Sequence, residues 1–384
     1  MHTVHFSHSF SKLSETFIYD YVISLDDHGV GVEVVTLNHV NKEDRPFDEV
    51  SELKLPLWNV PRLWNFSRDV ILGRRTEISS WPVYRKRLKK ILRRKKPDIL
   101  HAHFGPMGVF LAPVAKELGI PLVVTFYGYD ISELLGQEFW QKAYLDLAKV
   151  ADRVTVLSKE MKNRALRIGF SNAQTDVVHL GTKVESIEYQ EPSSPAKNFL
   201  SVGRLSEKKG HLDSLIAFKS VLETSTEPIT YKIIGEGEGR AGIEAFIESN
   251  GLSDNVILMG SLPHSEVVKE FYKADVFVLN SKTSDSGDKE GTPTVLAEAQ
   301  AAGLPCLSTF HSGIPEMIPV ENHFLLAEEG NTDQMAVNMK RVIEASQEKI
   351  KAVSHRGREF IEDNFDVKKE ALKFKTIYQE LSQK

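Results

Sequence analysis

The chain has a single cysteine, Cys306, among 384 residues, so it cannot form an internal disulfide, and nothing in it calls for an oxidising compartment. Cys306 lies in an apolar run that we expect to be a buried strand. Long hydrophobic runs are missing, because no stretch approaches the roughly 18 apolar residues that cross a bilayer. Residues 1–8 lack the basic segment and apolar core of a signal peptide. We therefore expect a cytoplasmic protein, peripheral at the inner face of the plasma membrane.

Short strand-like runs alternate with helical segments along the whole chain, which is typical of parallel α/β sheets with helices on both faces. The stretch 182–197 is polar and contains two prolines, as expected of a linker. The sequence therefore predicts two doubly wound, Rossmann-like domains, residues 1–181 and 198–366, and a final helix at 367–384. The predicted strands are 4–7, 32–37, 99–104, 122–126, 154–157 and 176–180 in the first domain, and 199–203, 231–234, 256–258, 276–279, 305–308 and 323–326 in the second.

Two glutamates, Glu290 and Glu298, flank a predicted helix start with seven residues between them. Thr292 is a predicted N-cap, and Pro293 suits the first helical position, where its missing N–H costs nothing. The free N–H groups of the first turn lie at the positive end of the helix dipole, where a phosphate binds. Because carboxylates do not bind phosphate, we expect the glutamates to bind hydroxyl-rich rings on either side of it, as in a sugar–diphosphate–nucleoside.

This motif, with the segment GRLSEKKG at 203–210 and Gly-Glu-Gly at 235–237, resembles the retaining glycosyltransferases of family 4, which have the GT-B fold. The resemblance covers essentially the whole chain. The phrases EGTPTVLAEAQAAGLP and LSETFI are similar to the subgroup that builds bacterial capsule and exopolysaccharide, such as colanic-acid-type enzymes. It implies two domains that face a cleft, the first for the acceptor and the second for the donor. The helix 367–384 is then expected to pack back on the first domain.

The resemblance implies a role for each donor-side motif. Arg204 and Lys209 are expected to hold the donor's diphosphate and stabilise it as a leaving group, Glu298 to bind the ribose, and Glu290 to bind the transferred sugar. The glycine-rich turn at 235–239 does not match a dinucleotide fingerprint, and a plain tight turn is the alternative to a loop beside the nucleotide. The other expected donor-binding residues are Gly203, Gly235, Glu236, Gly237, Leu262, Gly291, Thr292, Pro293, Thr294 and Val295.

No metal or other cofactor is expected from the resemblance. The segment Asp-Ser-Gly-Asp at 285–288 has two aspartates, but they make a poor all-protein metal site without a nearby histidine. Reading the sugar is the other role open to this loop. At 311–316, Ser312 replaces one of the two glycines usual in the family, a departure that we expect the fold to tolerate.

On the acceptor side, Ser14 is a predicted N-cap, and Tyr127 stands where the family's T-F-H-G-Y-D motif has a histidine that contacts the donor sugar. Tyrosine can donate a hydrogen bond but is uncharged at neutral pH, so this departure leaves the active-site chemistry open. His101 and His103 face the same side of a predicted strand. We expect a hydrogen-bonded core pair, with a pair of ligands as the alternative. The expected residues on this side are Glu15, Thr16, His103, Tyr127 and Asp130.

Residues 85–96, RKRLKKILRRKK, include nine basic residues in twelve, with Leu88, Ile91 and Leu92 at helical spacing. A basic amphipathic helix beside aromatic residues is typical of a membrane-surface element. A solvated helix is the alternative, and no nucleic-acid partner is expected. The upstream aromatics are Trp58, Trp64, Phe66 and Trp81, and the residues expected to face anionic lipid are Arg85, Lys86, Lys89, Lys90, Arg93 and Arg94.

The sequence therefore predicts a retaining, metal-independent glycosyltransferase. We expect it to move a sugar from a UDP- or GDP-sugar to a growing, polyprenyl-linked oligosaccharide in surface-polysaccharide synthesis. Two alternatives remain open. One is a nucleotide-sugar hydrolase or epimerase of the same fold, and the other is a non-catalytic protein that binds sugar nucleotides.

Overall fold

A computed structural model describes residues 1–12, 15–54, 78–226 and 228–383. The chain divides into two compact units. The first unit consists of Met1–Val156, Lys162–Val178 and Ala371–Lys384, and the second consists of Leu157–Met161 and His179–Glu370. The stretch 182–197, expected to be a linker, instead lies within the second unit. Its apolar residues Val184 and Ile187 are buried in that unit's core, which holds the segment in place.

The first unit contains a seven-stranded parallel sheet with the order β3-β2-β1-β4-β5-β6-β7. Strands β4 and β5 are buried at every residue, as expected for parallel strands covered on both faces. The strand order reverses between β1 and β4, where α/β proteins commonly bind ligands. The strands are β1 (His2–Phe10), β2 (Gly31–His39), β3 (Val50–Glu52), β4 (Ile99–His103), β5 (Leu122–Thr125), β6 (Arg153–Val156) and β7 (Thr175–Val177). The helices begun in this part of the chain are α1 (Thr16–Asp27), α2 (Trp81–Lys95), α3 (Gly105–Leu118), α4 (Glu138–Ala148) and α5 (Lys159–Ile168).

The second unit contains a six-stranded parallel sheet with the order β10-β9-β8-β11-β12-β13. Its strand order reverses between β8 and β11. The strands are β8 (Asn198–Val202), β9 (Thr230–Ile234), β10 (Val256–Gly260), β11 (Val276–Val278), β12 (Cys306–Thr309) and β13 (Leu326–Ala327). The helices are α6 (His211–Leu222), α7 (Arg240–Ser249), α8 (His264–Phe271), α9 (Thr294–Ala302), α10 (Thr332–Ile343) and α11 (Gln347–Asn364). The last helix, α12 (Val367–Ser382), continues into the part of the chain assigned to the first unit.

The predicted α/β alternation is confirmed, and Cys306 is buried in β12 as expected. One predicted strand, 323–326, is wrong in most of its length. Val320–Leu325 forms a 3-10 helix, in which the His323 ring lies 3.0 Å from the carbonyl oxygens of Pro315 and Ile318. The short strand β3 was not predicted, because its three residues give no clear alternation. Among the described residues, no helix has the length and apolar character needed to span a membrane.

Candidate functional site

The loops that follow β8, β9 and β10 are joined through their backbones at the carboxyl end of the second sheet. The N–H of Leu205 donates to the Glu236 carbonyl at 3.0 Å, and that of Gly235 donates to Gly260 at 2.9 Å. Gly235 has a φ of +149°, and a Cβ atom there would lie 1.9 Å from the carbonyl oxygen of Gly203. Glycine is therefore required at 235 by the close approach of two loops of the chain itself, which the sequence could not distinguish from an approach to a ligand.

Two lysines and two acidic residues form an ion-pair cluster at the same edge. The Nζ of Lys209 lies 3.0 Å from Glu290 Oε1, and that of Lys208 lies 2.8 Å from Asp288 Oδ2. Glu290 is only 6% exposed. Burial alone would raise the pKa of Glu290, but the charges of Lys209 and Lys208 lower it below its usual value. Glu290 is therefore ionised at neutral pH and holds Lys209 beside it.

Glu290 is also fixed through its backbone. Its N–H donates to His311 Nε2 at 3.1 Å, so the ring proton of His311 is on Nδ1 and is donated to Glu329 Oε1 at 2.6 Å. The hydroxyl of Ser312 donates to the Glu290 carbonyl oxygen at 2.6 Å. Sequence reasoning gave no role to His311. The rule that ligand-binding groups follow the carboxyl ends of strands, applied to β12, points to it.

Helix α9 begins at Thr294, one residue later than predicted, and Pro293 occupies the N-cap position with an extended ψ of 110°. The predicted capping role of Thr292 is wrong, because Thr292 lies one position before the N-cap. Its hydroxyl is buried and has no hydrogen-bond partner among the described residues. Thr294 and Val295 still form the first turn, where backbone N–H groups lack intrahelical acceptors. Glu298 lies in the second turn as expected, and its Oε1 is 3.2 Å from His264 Nε2.

The remaining donor-side residues lie at the same edge of the second sheet. Gly203 and the exposed Arg204 directly follow β8, and Gly291 is buried between Glu290 and the start of α9. Gly237 lies so close to Leu205 that a Cβ atom would be 2.7 Å from its carbonyl oxygen. Glu236 is partly exposed and pairs with Arg240 at 2.5 Å. Leu262 is half-buried in the loop after β10. The structure therefore places these residues at one edge of the second sheet and brings Lys209 and Glu290 into direct contact.

In the first unit, His103 and Tyr127 are joined by a hydrogen bond of 2.6 Å between Nδ1 and the phenolic hydroxyl. Tyr127 packs against Phe17 and Phe104, with ring centroids 4.6 Å apart in each pair. His101 and His103 are each 1% exposed, and burial lowers the pKa of both well below the usual value. The structure thus favours the hydrogen-bonded core over the pair of ligands.

Asp130 is fully buried and organises the loop around Tyr127. Its carboxylate accepts the N–H groups of Gly105, Tyr127 and Gly128 at 2.8, 2.9 and 3.0 Å. Burial raises the pKa of Asp130 to about 6 in spite of these bonds. Thr16 begins α1, and Glu15 before it pairs with Lys12 at 2.8 Å. The predicted N-cap, Ser14, lies outside the described residues.

The basic helix α2 differs from the prediction in which cations face outward. Arg85 is half-buried and donates to the carbonyl oxygens of Phe110 and Val109 at 2.8 and 3.0 Å, so its assignment to a membrane face is wrong. Lys89 is paired with Glu117 at 2.6 Å. Trp81 packs edge-on against Phe110, whereas Trp58, Trp64 and Phe66 lie outside the described residues. The exposed cations of the helix are Lys86, Arg87, Lys90, Arg93 and Arg94.

Two family models together match most of the chain. Residues 14–186 match the model described as Glycosyltransferase Family 4, and residues 185–360 match the one described as Glycosyl transferases group 1. WcaL of Escherichia coli (strain K12), a glycosyltransferase assigned by its name to colanic acid biosynthesis, is 31% identical over 276 residues, which are 71% of this chain and 68% of WcaL. The chain belongs to glycosyltransferase family 4. It is therefore an enzyme of the transferase class, as the motifs predicted.

The chain is also similar to a second curated relative and, in its fold, to solved structures. AmsK of Erwinia amylovora, named for amylovoran biosynthesis, is 34% identical over 65% of this chain and 62% of its own length. The structure of Anabaena HepE in complex with UDP and glucose has a TM-score of 0.77 at 16% identity, covering 99% of this chain and 100% of HepE. Sucrose-phosphate synthase from Thermosynechococcus elongatus has a TM-score of 0.74 at 18% identity, covering 99% of both chains. The predicted GT-B fold with two Rossmann-like domains is confirmed.

Proposed function

We propose that this family 4 glycosyltransferase is a retaining, metal-independent enzyme. It transfers a sugar from a UDP- or GDP-sugar to a growing, lipid-linked oligosaccharide in exopolysaccharide synthesis. The observation that carries the proposal is the 3.0 Å contact between Lys209 and Glu290. Glu290 lies four residues before the start of α9. A cation and a helix N-terminus can bind a diphosphate, and a carboxylate can accept hydrogen bonds from sugar hydroxyls.

Lys209 and the N-terminus of α9 stabilise the leaving group in this proposal. As the bond between the sugar's anomeric carbon and the diphosphate breaks, negative charge accumulates on the diphosphate oxygen. Lys209, Arg204 and the N–H groups that open α9 stabilise that charge, and such preorganised electrostatics is often the largest catalytic contribution. The acceptor oxygen then bonds to the same carbon, and its proton passes to the diphosphate oxygen. This assignment needs no side-chain nucleophile.

The two glutamates, Glu290 and Glu298, bind the sugar rings on either side of the diphosphate in this proposal. Glu290 is ionised, rigidly held and next to Lys209, so it can accept hydrogen bonds from hydroxyls of the transferred sugar. Glu298 is 17% exposed and lies one turn into α9, where it can accept the two ribose hydroxyls. The HepE complexes with UDP and with UDP-glucose support a donor of this chemical class.

We propose that lysine, rather than a metal ion, neutralises the charge of the diphosphate. The ion pair of Asp288 supports this, because it engages a carboxylate that a metal would need. Its carboxylate pairs with Lys208 at 2.8 Å, and the N–H of Asp285 donates to Glu207 at 3.0 Å. These contacts anchor the 285–288 loop to the segment after β8 rather than gathering its carboxylates. The loop thus borders Glu290, consistent with reading the sugar. Transfer should therefore persist in excess EDTA, and recovery of lost activity by Mg²⁺ or Mn²⁺ would contradict metal independence.

The pathway is inferred from relatives. WcaL and AmsK are named for colanic acid and amylovoran biosynthesis, and this supports a role in exopolysaccharide synthesis. The lipid-linked oligosaccharide is the acceptor that we propose for that role. An anionic membrane surface is the partner proposed for α2, and a cytoplasmic, peripheral location follows from that proposal.

The reaction is tested by incubating the protein with UDP- and GDP-sugars and a lipid-linked oligosaccharide, and by reading the new linkage by NMR. We expect one donor to be consumed only when acceptor is present, with the anomeric configuration of the donor retained. Inversion would contradict the retaining mechanism. Free sugar or an epimer formed without acceptor would favour the hydrolase or epimerase alternative, and binding without turnover would favour a sensor.

A further inference from the structure

A continuous chain of hydrogen bonds runs through the interior of the first unit and ends at Tyr127. It joins side chains from β1, β4, β5, β6 and α12. Its links are Tyr127 hydroxyl to His103 Nδ1 (2.6 Å), His103 Nε2 to His5 Nδ1 (3.1 Å), His5 Nε2 to Tyr378 hydroxyl (3.5 Å), Tyr378 hydroxyl to His101 Nδ1 (2.5 Å), His101 Nε2 to Thr125 hydroxyl (2.6 Å) and Thr125 hydroxyl to Thr155 hydroxyl (2.5 Å).

The chain lies where the strand order of the first sheet reverses. His5 of β1 and His101 of β4 are direct partners in the parallel register. Every member is at most 1% exposed except Tyr127, which is 8% exposed. Tyr127 is therefore the end through which the chain can meet a substrate, and Tyr378 on α12 is its most distant aromatic member along the sequence.

All of its members are uncharged at neutral pH. Burial lowers the pKa of His5 to about 3, and lowers the pKa of His101 and His103 well below the usual value. Burial likewise raises the pKa of Tyr127 and Tyr378 well above the usual value. Each neutral histidine then has one nitrogen that donates and one that accepts.

This restriction couples the links to one another. If Tyr127 donates to His103, then His103, His5 and His101 must each carry the proton on Nε2 in order to pass a donor along the chain. If the direction is reversed, all three carry it on Nδ1. A mixture between His103 and His5 would set two donors or two lone pairs against each other, because their ring nitrogens are in direct contact. A mixture across Tyr378 would leave either the Tyr378 proton or one ring nitrogen without a partner along this chain, and both losses are costly in a buried site. In the reversed direction the Tyr127 proton is left for Thr125, which also hydrogen-bonds to Tyr127, or for a bound substrate.

We propose that this chain acts as one unit with a common direction, in which His5, His101 and His103 share the same tautomer, and that it positions the Tyr127 hydroxyl toward the substrate. The second part rests on the proposed function, because it requires the sugar or acceptor to meet Tyr127. His103, His5 and Tyr378 are then positioning residues that act through Tyr127. The first part is independent of any substrate.

The tautomers are measured by long-range ¹H–¹⁵N NMR of protein with ¹⁵N-labelled histidine, with signals assigned from single His→Gln variants. We expect three neutral rings in one shared tautomer that is unchanged between pH 6 and pH 8. The ring nitrogens also lie within 4.8 Å of one another, as they would around a metal. Mixed tautomers, or a stoichiometric transition metal in the purified protein, would overturn the proposed common direction of these hydrogen bonds. This conclusion would hold whatever the outcome for donor binding.

The link to Tyr127 is tested with Tyr378→Phe, which removes only the hydroxyl between His5 and His101. The matched control is Tyr144→Phe. Tyr144 is equally buried in the same unit, and its hydroxyl has no hydrogen-bond partner among the described residues. We expect Tyr378→Phe to break the shared tautomer and to lower kcat about 3- to 10-fold, consistent with one weakened hydrogen bond. Tyr144→Phe should stay within about twofold of the wild type.

A double-mutant cycle separates positioning from simple loss of packing. In a Tyr127→Phe background, we expect Tyr378→Phe to cause no further loss of kcat, because its effect passes through the Tyr127 hydroxyl. Additive losses, or a Tyr378→Phe variant that transfers sugar at the wild-type rate, would overturn the positioning role. Donor binding is measured separately, by the thermal shift of the protein with nucleotide. A failure of the positioning role can therefore be distinguished from a failure of the proposed function.

Discussion

At the scale of single residues, the proposed donor site depends on the ion pair between Lys209 and Glu290. Each is largely buried, so either one alone would be a costly unpaired charge, and the neighbouring lysines hold the pKa of Glu290 below its usual value. His311 and Ser312 hold the Glu290 backbone from one side. The pair therefore has a fixed position before any substrate arrives, which is the condition for electrostatic catalysis.

Removing the cation should cost activity more than removing its neighbour. Charge-assisted hydrogen bonds contribute about 1.5–3 kcal/mol, so we expect Lys209→Met to lower kcat/KM about 10- to 100-fold. Lys208→Met should have a smaller effect, since Lys208 pairs with Asp288 of the adjoining loop. Steady-state transfer rates measure both, with the exposed Lys269→Met as control. Wild-type kcat/KM in Lys209→Met would contradict the assignment.

Two effects of Ser312 on stability can be measured separately, the unfavourable backbone conformation and the favourable hydrogen bond of its hydroxyl. Its φ of +48° is in the left-handed region, which costs a non-glycine residue roughly 1–2 kcal/mol, and its hydroxyl bond is worth about 1 kcal/mol. Ser312→Ala loses the hydroxyl's contacts and keeps the backbone cost, so we expect a free energy of unfolding about 1 kcal/mol below the wild type. Ser312→Gly loses the bond but relieves the backbone, and should lie close to the wild type or above it. Urea denaturation ranks the three, and Ala above Gly would contradict this account.

Asp130 makes stability depend on pH in an unusual direction. Folding raises the pKa of this carboxyl from 3.8 to about 6, so the folded protein holds the proton more tightly than the unfolded chain. Its contribution is therefore greatest at low pH and declines as pH rises through that window. We expect the stability of the wild type relative to Asp130→Asn to fall by on the order of 1–3 kcal/mol between about pH 4 and pH 6.5. Denaturation curves at matched pH values measure it, and a rise over this window would show that the pKa is not raised.

The individual residues that sequence reasoning found are those whose neighbours lie close along the chain or inside a motif. Glu290, Glu298 and Lys209 belong to such segments. His311 and Tyr378 were missed because their partners are distant. Tyr378 contacts His101 across 277 positions, and nothing in a periodic pattern reports such a contact. The departure from the family motif at Tyr127 was visible in the sequence, but the series of hydrogen bonds that ends at Tyr127 was not.

Among the structural elements, most strands of both sheets were predictable because buried parallel strands are continuous apolar runs, whereas the short strands β3 and β13 were not. Boundaries were less certain. Helix α9 begins at Thr294 because Pro293 has an extended backbone, and the sequence favoured proline inside the first turn. The inward orientation of Arg85 was also hidden, because a basic run does not reveal which cation finds backbone acceptors at α3.

Helix α2 provides the test of the membrane proposal. Its outward cations include Lys86, Lys90, Arg93 and Arg94, and each cation near an anionic surface contributes about 1 kcal/mol. We expect the protein to sediment with vesicles containing anionic lipid at low salt, and the quadruple glutamine variant of these four to stay in the supernatant. The control variant neutralises Lys269, Lys273, Lys349 and Lys351 of the second unit and should still bind. Equal binding by both variants would leave the helix as a solvated surface.

For the whole molecule, the two-domain α/β architecture followed from the alternation of strands and helices, and the family followed from a few local motifs. The role of 182–197 did not, because a polar segment with prolines resembles a linker even when two of its apolar residues are packed into a core.

Donor binding by the second unit is the central claim, and thermal unfolding with UDP, GDP, ADP and their sugar conjugates tests it most directly. The variants are Glu298→Gln and, as control, Glu359→Gln on α11. A ligand at a hundred times its dissociation constant adds about 2.7 kcal/mol of stability. We predict a clear rise in Tm with UDP or GDP and its sugar, lost in Glu298→Gln and kept in Glu359→Gln. No rise with any nucleotide, or the same rise in Glu298→Gln, would contradict the account.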